Sequence, residues 1–380
     1  MRRRLCVGGF ALTIILFGVA LATSPFAAAQ TATSGLAPAA AAHLRQVIET
    51  GMAEPHFVPP GPAIDAAPLK GKLVFTIPVS TAIPWCDVID RQMTGFAKQL
   101  GLGFEIWQNN AQLAQWVQGF DAARNHKAAL INVFCGLDPA TVTPQIKQAR
   151  AAGIPVMAGH TYALGQPPLP DLSGIVYGAY VDAAKLMADW VMLQTEGKAD
   201  VLVITSPSTA NSPFMQKAIA AEFAAYCPAC KVRYVGVNAS DWPTKIEPEA
   251  RTAILADHAL NYIIPIYDGM AQFVVPAITA TGASARVKVA TFNATPAVLD
   301  MIRSGDVVTF EVGEDTTWLA GAILDQDMRI LLGKPLIPNY VAGVRIFTKA
   351  NVAAAGLPAK FGQGYGDGAR LGYQALWGLK

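Results

Sequence analysis

Between Lys72 and Phe347 the sequence alternates short apolar runs, typical of buried strands, with amphipathic segments of about 10 to 15 residues, typical of helices. The first run is Leu73 to Val79, and the helical pattern after it continues to Leu100. The alternation forms two successive sets, separated by the proline-rich residues 166–174. Strands that alternate with helices form parallel sheets with right-handed crossovers. The sequence therefore predicts an α/β protein with two similar lobes.

The N-terminus has the three parts of a secretory signal. Arginines at positions 2–4 precede an apolar run from Leu5 to about Ala22, and Ala27 to Ala29 form a small-residue cleavage site. We expect a cleavable signal peptide over residues 1–29 and a periplasmic protein, with an uncleaved membrane anchor as the alternative. At 380 residues, 52% of them hydrophobic and 15% charged, the chain is long enough for two globular domains.

Net charge excludes two classes of partner. Removing residues 1–29 takes away three arginines and no acidic residue, so 29 basic and 27 acidic side chains become 26 and 27, a net charge of −1. Nucleic acids and anionic membrane surfaces bind basic patches. We therefore expect neither as a partner.

Four cysteines remain after removal of the signal: Cys86, Cys135, Cys227 and Cys230. An even set in an exported protein is usually disulfide-bonded. Of the three possible pairings we favour Cys86 with Cys135, which joins two strand ends, and Cys227 with Cys230, which closes a tight turn.

The spacing of Cys227 and Cys230 also suits thiol exchange, so a thiol oxidoreductase is an alternative function. Thioredoxin-like proteins place this motif after a strand and at a helix start. Here it follows the predicted helix Ser212 to Tyr226, which favours a structural disulfide.

No catalytic motif is present: the sequence has no GxSxG, HExxH, P-loop or GxGxxG after a strand. Four histidines, at positions 43, 56, 126 and 258, stand apart from any metal-like spacing. The acidic groups Glu311, Glu314 and Asp315 have no nucleophile beside them, and we interpret them as solvated charges at a chain crossing. We expect no enzyme, no metal and no cofactor.

Single polar or aromatic residues recur where predicted strands end. Ligands of open α/β sheets sit at the carboxyl ends of the strands. Aromatic rings cover the apolar face of a ring-shaped ligand, and polar groups satisfy its hydroxyls. The candidate ligand-binding residues are Trp85, Asn132, His160, Trp242, Tyr267, Asp268, Asn293 and Glu311.

The ordered series of local sequences resembles the type I periplasmic binding proteins of sugar importers, the ribose- and galactose-binding group. The resemblance covers roughly Lys72 to Phe347. It rests on VSTAIPW (79–85), AALIN (128–132), QARAAGIPVM (148–157), VDAAKLMADWV (181–191), YDGM (267–270) and TFNATP (291–296).

The resemblance implies two Rossmann-like lobes joined by a three-strand hinge, with ligand enclosed between them. Its N-terminal lobe would comprise residues 71–173 and 313–340, and its C-terminal lobe residues 174–312 and 341–355. Residues 30–70 would form an N-terminal extension and residues 356–380 a C-terminal tail.

By position in the family, Trp85 matches an aromatic residue that stacks on the sugar, Trp242 resembles its partner from the other lobe, and Asn132 matches a polar contact. Asn293 stands where the family commonly has aspartate, and His160 with Thr161 replace a frequent Asp-Arg pair. The arginine of that pair would give a sugar a fixed guanidinium group, and this chain lacks it there. The sequence therefore favours a less polar cyclic ligand or an unusual polyol over a highly hydroxylated sugar.

These features predict an exported receptor that captures a small sugar, polyol or related cyclic ligand and delivers it to an inner-membrane ABC permease. We expect a monomer. The alternative that shares the fold is a ligand-sensing module for a membrane signalling or chemotaxis receptor.

Overall fold

Two parallel sheets, each flanked by helices, form the body of the protein. The computed structural model describes residues 35–379, and the predicted signal peptide lies outside them. The strands are β1 (Leu73–Pro78), β2 (Gly103–Ile106), β3 (Leu130–Phe134), β4 (Val156–Ala163), β5 (Gly174–Gly178), β6 (Asp200–Thr205), β7 (Lys231–Gly236), β8 (Tyr262–Pro265), β9 (Lys288–Asn293), β10 (Val308–Glu314) and β11 (Val344–Phe347). The helices are α1 (Pro38–Gly51), α2 (Pro84–Leu100), α3 (Leu113–Asn125), α4 (Thr143–Ala151), α5 (Tyr180–Gln194), α6 (Ser212–Tyr226), α7 (Trp242–Ala256), α8 (Ala271–Ala280), α9 (Pro296–Ser304), α10 (Thr316–Leu331) and α11 (Gly368–Leu376).

The first lobe is built on the five-stranded sheet β2-β1-β3-β4-β5, in which every neighbouring pair is parallel. Pro84 begins α2, where its missing amide hydrogen costs nothing, and Gly101 ends it in the left-handed conformation, with φ of 75°. The apolar face of α2 packs on α10 and on the sheet. These local signals place the start of α2 at the carboxyl end of β1.

The second lobe is built on the six-stranded sheet β11-β10-β9-β8-β6-β7, which is parallel except for the antiparallel pair β10 and β11. The edge strand β7 is largely exposed, whereas β6 and β8 are buried along their whole length. Asp315 begins α10 by accepting hydrogen bonds from the amides of Thr317 (2.9 Å) and Trp318 (3.2 Å).

The chain crosses between the lobes three times within this body. It passes from β5 in the first sheet to α5, which packs on β9 and β10 of the second. It returns from β10 to α10, which packs on β4 and β5, and then goes back to β11. The predicted fold class, two parallel-sheet lobes with a three-strand hinge, is confirmed. The residue boundaries given above for the two lobes stay a prediction. They place β5 in the C-terminal lobe, whereas in the sheets β5 pairs with β4 of the first lobe.

The N-terminal extension and the C-terminal tail add two further crossings. Leu44 and Ile48 of α1 belong to the core of the second lobe, whereas Ile64 and Leu69 belong to the core of the first. The C-terminal tail also crosses from the second lobe to the first, because Tyr365 packs in the second-lobe core and Trp377 in the first-lobe core. The two segments also meet, because the amide of Ile64 donates to the carbonyl of Leu376 at 3.0 Å.

Candidate functional site

A cavity lies between the lobes at the carboxyl ends of the strands. About 400 Å³ is free of protein atoms when the open solvent at its mouth is counted, and only a small part of that space is wide enough to admit a water molecule. Its wall consists of Val79, Ile83, Trp85, Cys86, Cys135, Gly136, His160, Tyr180, Thr209, Trp242, Tyr267, Asp268, Gly269 and Asn293. Six of the eight predicted ligand-binding residues are therefore together on one surface, although their role in binding stays a prediction.

Trp85 connects the two lobes. Its indole is 2% exposed, and its Nε1 donates a hydrogen bond of 2.9 Å to the backbone carbonyl of Asn293 in the second lobe. Its ring lies 4.6 Å, centroid to centroid, from the ring of His160. The structure is thus closed, with Trp85 both a wall of the cavity and a contact across the cleft.

His160 belongs to a buried polar network at the hinge. Its Nε2 lies 2.5 Å from Glu314 Oε2, and its Nδ1 lies 2.7 Å from the hydroxyl of Tyr180. The other oxygen of Glu314 accepts a hydrogen bond of 2.8 Å from the amide of Ala179. Because both ring nitrogens have protein partners, His160 offers the cavity its ring rather than a free hydrogen-bonding group.

On the second-lobe side, Trp242 and Tyr267 form the aromatic wall, with ring centroids 6.0 Å apart. Trp242 Nε1 donates to the carbonyl of Val237 at 3.2 Å. The Tyr267 hydroxyl donates to Asn211 and lies 3.0 Å from the hydroxyl of Thr209, and burial raises its pKa. With their polar atoms satisfied inside the protein, these rings offer the cavity mainly apolar surface.

Asp268 and Glu311 form a buried carboxyl pair beside the turn from β9 to α9. Asp268 accepts a hydrogen bond of 2.5 Å from the amide of Thr295, and Glu311 accepts one of 2.8 Å from the amide of Ala294. Burial raises the pKa of Asp268 to about 7. Burial, and the negative charge of Asp268, raise the pKa of Glu311 well above its usual value. The pair therefore retains a proton at neutral pH, and Glu311 supports the turn from behind the wall.

Asn293 has the polar side chain best placed to meet a ligand. It is 5% exposed and lines the cavity, and its side-chain amide makes no hydrogen bond within residues 35–379. Asn293 and Ala294 have φ values of 134° and 64°, which non-glycine residues rarely adopt. Such strain persists where surrounding contacts hold the backbone, and it is common at ligand clamps.

Both predicted disulfides are confirmed. Cys86 pairs with Cys135 and joins the start of α2 to the end of β3 on the cavity wall. Cys227 pairs with Cys230 in the turn between α6 and β7, away from the cavity. The second pair therefore has the structural position that the sequence favoured.

Two predicted site residues lie elsewhere. Asn132 is fully buried, donates to Asp327 Oδ2 at 3.2 Å and accepts from the amide of Gly159. Glu311 lies behind Asp268. The interpretation of Glu311, Glu314 and Asp315 as solvated charges is wrong, because all three are at most 2% exposed.

Sequence reasoning missed several residues of the wall. They are Val79, Ile83, Gly136, Tyr180, Thr209 and Gly269. Tyr180 comes two residues after the end of β5, and Thr209 lies in the loop after β6. Both therefore had the strand-end signal that identified the other candidates.

Comparison with known proteins identifies the family. Residues 74–335 match the family model described as periplasmic binding protein domain, which covers more than half of the chain. The chain belongs to the periplasmic binding protein family. This confirms the resemblance inferred from the sequence, and a family of binding proteins agrees with the prediction of binding rather than catalysis. No curated protein matches the sequence.

Solved structures share the fold of this periplasmic binding protein. A Caulobacter myo-inositol binding protein, bound to myo-inositol, is 20% identical with a TM-score of 0.64, over 77% of this chain and 97% of that one. A sugar ABC transporter protein from Yersinia enterocolitica is 16% identical with a TM-score of 0.68, over 81% and 95%. An Agrobacterium vitis solute-binding protein bound to α-D-tagatopyranose is 17% identical with a TM-score of 0.66, over 74% and 96%. Within residues 35–379, no helix is long and apolar enough to cross a membrane.

Proposed function

We propose that this periplasmic binding protein captures a small, uncharged sugar, polyol or related cyclic compound between its lobes and delivers it to an inner-membrane ABC permease. The observation that carries the proposal is the cavity between the lobes, with Trp85 on one side, Trp242 on the other and the side-chain amide of Asn293 on its wall. Solved structures with the same fold include ABC transporter binding proteins with bound α-D-tagatopyranose, L-arabinofuranose or glycerol.

The chemistry of the wall disfavours an anionic ligand. Within the described residues, the wall contains no lysine or arginine, so an anionic group would be buried without a partner. An amide such as Asn293 can donate to and accept from a hydroxyl, and the carboxyl of Asp268 can accept a hydroxyl hydrogen. The aromatic rings supply the apolar contact that the face of a sugar or cyclitol ring requires.

Closure fits a ligand that contacts both lobes. A ligand shifts an open–closed equilibrium only by its difference in affinity for the two states. Trp85 and Trp242 approach the same cavity from different lobes, so a ring between them gains its second contact only when the lobes meet. We infer that the permease recognises this closed state of a monomeric receptor, from which residues 1–29 are cleaved on export to the periplasm.

The first experiment is a thermal-shift screen of residues 30–380 against sugars, polyols, cyclic alcohols and small aromatic acids. A ligand at about 100 times its Kd stabilises the folded state by about 2.7 kcal/mol, which gives a clear increase in Tm. We expect uncharged ring compounds to raise the Tm and acids not to. No shift with any neutral ring compound would contradict the proposed function.

The second experiment measures the Kd of the ligand so found for the Trp242→Ala variant by titration calorimetry. Loss of a stacking ring costs on the order of 1 kcal/mol or more, so we expect the Kd to rise about fivefold or more. The matched control is Trp190→Ala, which removes a ring stacked on Phe310 in the same lobe but outside the cavity. An unchanged Kd in Trp242→Ala would exclude the proposed contact.

A further inference from the structure

A second depression opens directly outside the cavity, along the boundary of the two lobes. It has an empty volume of about 800 Å³ when the solvent above it is included. Ile83, Trp242 and Gly269 belong to the walls of both the cavity and this outer groove. The two spaces are therefore neighbours that share three residues of their walls, Trp242 among them.

Both lobes contribute uncharged hydrogen-bonding groups to the outer groove. Asn110 is exposed on the first lobe, and its side chain makes no hydrogen bond within residues 35–379. On the second lobe, Ser240 is exposed and likewise has no hydrogen bond from its hydroxyl in the described part of the chain. Gln272 donates through Nε2 to the carbonyl of Gly269 at 2.8 Å, which leaves its Oε1 as an acceptor.

Apart from Ser80, whose hydroxyl donates to the carbonyl of Asn109, the other side chains of the groove are apolar. They include Pro84 of the first lobe and Pro243 and Phe273 of the second. Among the described residues, its lining contains no charged side chain. A charged substituent would find no counter-ion there, whereas a neutral ring could pack on the prolines and hydrogen-bond to the amides and hydroxyl.

We propose that the outer groove is a second subsite, which binds a neutral hydroxylated ring linked to the ring in the inner cavity. The ligand class is then a two-ring compound such as a glycoside or disaccharide rather than a free monosaccharide. This inference depends on the proposed function, because it requires a first ring between Trp85 and Trp242.

The experiment compares single-ring compounds with their two-ring counterparts by titration calorimetry: glucose with cellobiose, galactose with melibiose, and myo-inositol with galactinol. Two additional net hydrogen bonds correspond to about a tenfold gain in affinity, so we expect at least one two-ring compound to bind about tenfold more tightly than its parent. Two-ring compounds that never bind more tightly than their parents would overturn the subsite.

A variant separates the groove from the cavity. Ser240→Trp places a large ring in the groove without changing a residue of the inner wall. We expect the Kd of the two-ring compound to rise to that of its parent, while the Kd of the parent stays within about twofold. The control, Ser304→Trp, changes an exposed serine outside both walls and should alter neither value.

The outcomes distinguish this inference from the proposed function. If single-ring compounds bind but Ser240→Trp leaves the ratio of the two Kd values unchanged, the outer subsite is wrong and the receptor function stands. If neither single-ring nor two-ring compounds bind the wild-type protein, the proposed function fails and the subsite fails with it.

Discussion

Asp327 is a carboxylic acid in the core of the first lobe, fully buried beside Asn132. Burial raises its pKa to about 8, and the hydrogen bond from Asn132 only partly opposes this. In the unfolded chain an aspartate has a pKa of about 3.9. Between these two values the folded state holds a proton that the unfolded state has released, so the free energy of unfolding decreases as pH rises.

The variant Asp327→Asn removes this ionisation while its amide oxygen still accepts from Asn132. We expect the wild type to lose stability relative to the variant by on the order of 1 kcal/mol for each pH unit between about 5 and 8. Urea unfolding at three pH values measures the difference. The exposed substitution Asp306→Asn is the control, and a difference between wild type and Asp327→Asn that does not change with pH would contradict the prediction.

At the scale of single elements, the disulfide between Cys86 and Cys135 joins α2 to β3 across a sequence separation of 49 residues. The bond between Cys227 and Cys230 spans a separation of only 3 residues. A disulfide restricts the unfolded chain more when it closes a longer loop. The two disulfides therefore allow the effect of loop length on stability to be compared within one molecule.

Replacing Cys86 and Cys135 together by alanine should lower the free energy of unfolding by about 4 kcal/mol, and replacing Cys227 and Cys230 by about 2 kcal/mol. Guanidinium unfolding of the two double variants at pH 7 tests the order. Equal losses, or a larger loss for the short loop, would show that loop closure is not the source of stability.

The order and type of the elements were predictable because each strand and helix has its own periodicity and stop signals, such as Pro84 and Gly101 around α2. The strand-end signal identified six residues of the cavity wall, but it did not show which way each side chain points. Asn132 and Glu311 were grouped with the strand-end residues, but both lie within strands, since β3 ends at Phe134, as predicted, and β10 at Glu314. Their side chains consequently lie inside the protein. Because successive side chains of a strand point to opposite faces, a position near a strand end does not by itself decide whether a side chain reaches the cavity.

At the scale of the whole molecule, each lobe depends on a segment from the far end of the chain. Leu44, near the N-terminus of the described chain, packs in the second-lobe core. Trp377, near the C-terminus, packs in the first-lobe core, where its Nε1 donates to Asp325 at 2.9 Å. The sequence pattern does not predict such contacts, because the amphipathic face of a helix does not specify the surface on which it packs.

Two substitutions test this exchange of ends by hydrogen exchange. Trp377→Ala should cost about 3 to 5 kcal/mol and reduce amide protection in α2 and α10 of the first lobe. Leu44→Ala should cost about 2 to 5 kcal/mol and reduce protection in α5 of the second lobe. If each variant instead weakens the lobe nearest to it in sequence, the interlocked arrangement is wrong.

The position of α11 near the end of the sequence also determines when the first lobe can finish folding during synthesis. Domains usually fold as units while synthesis proceeds from the N-terminus. Here the first lobe takes α10 and Trp377 into its core, so it cannot be completed until almost the whole chain has left the ribosome. The growing polypeptide therefore lacks a finished first lobe for most of its synthesis, and the apolar surfaces of β1 to β5 stay without their full cover until the last residues are made.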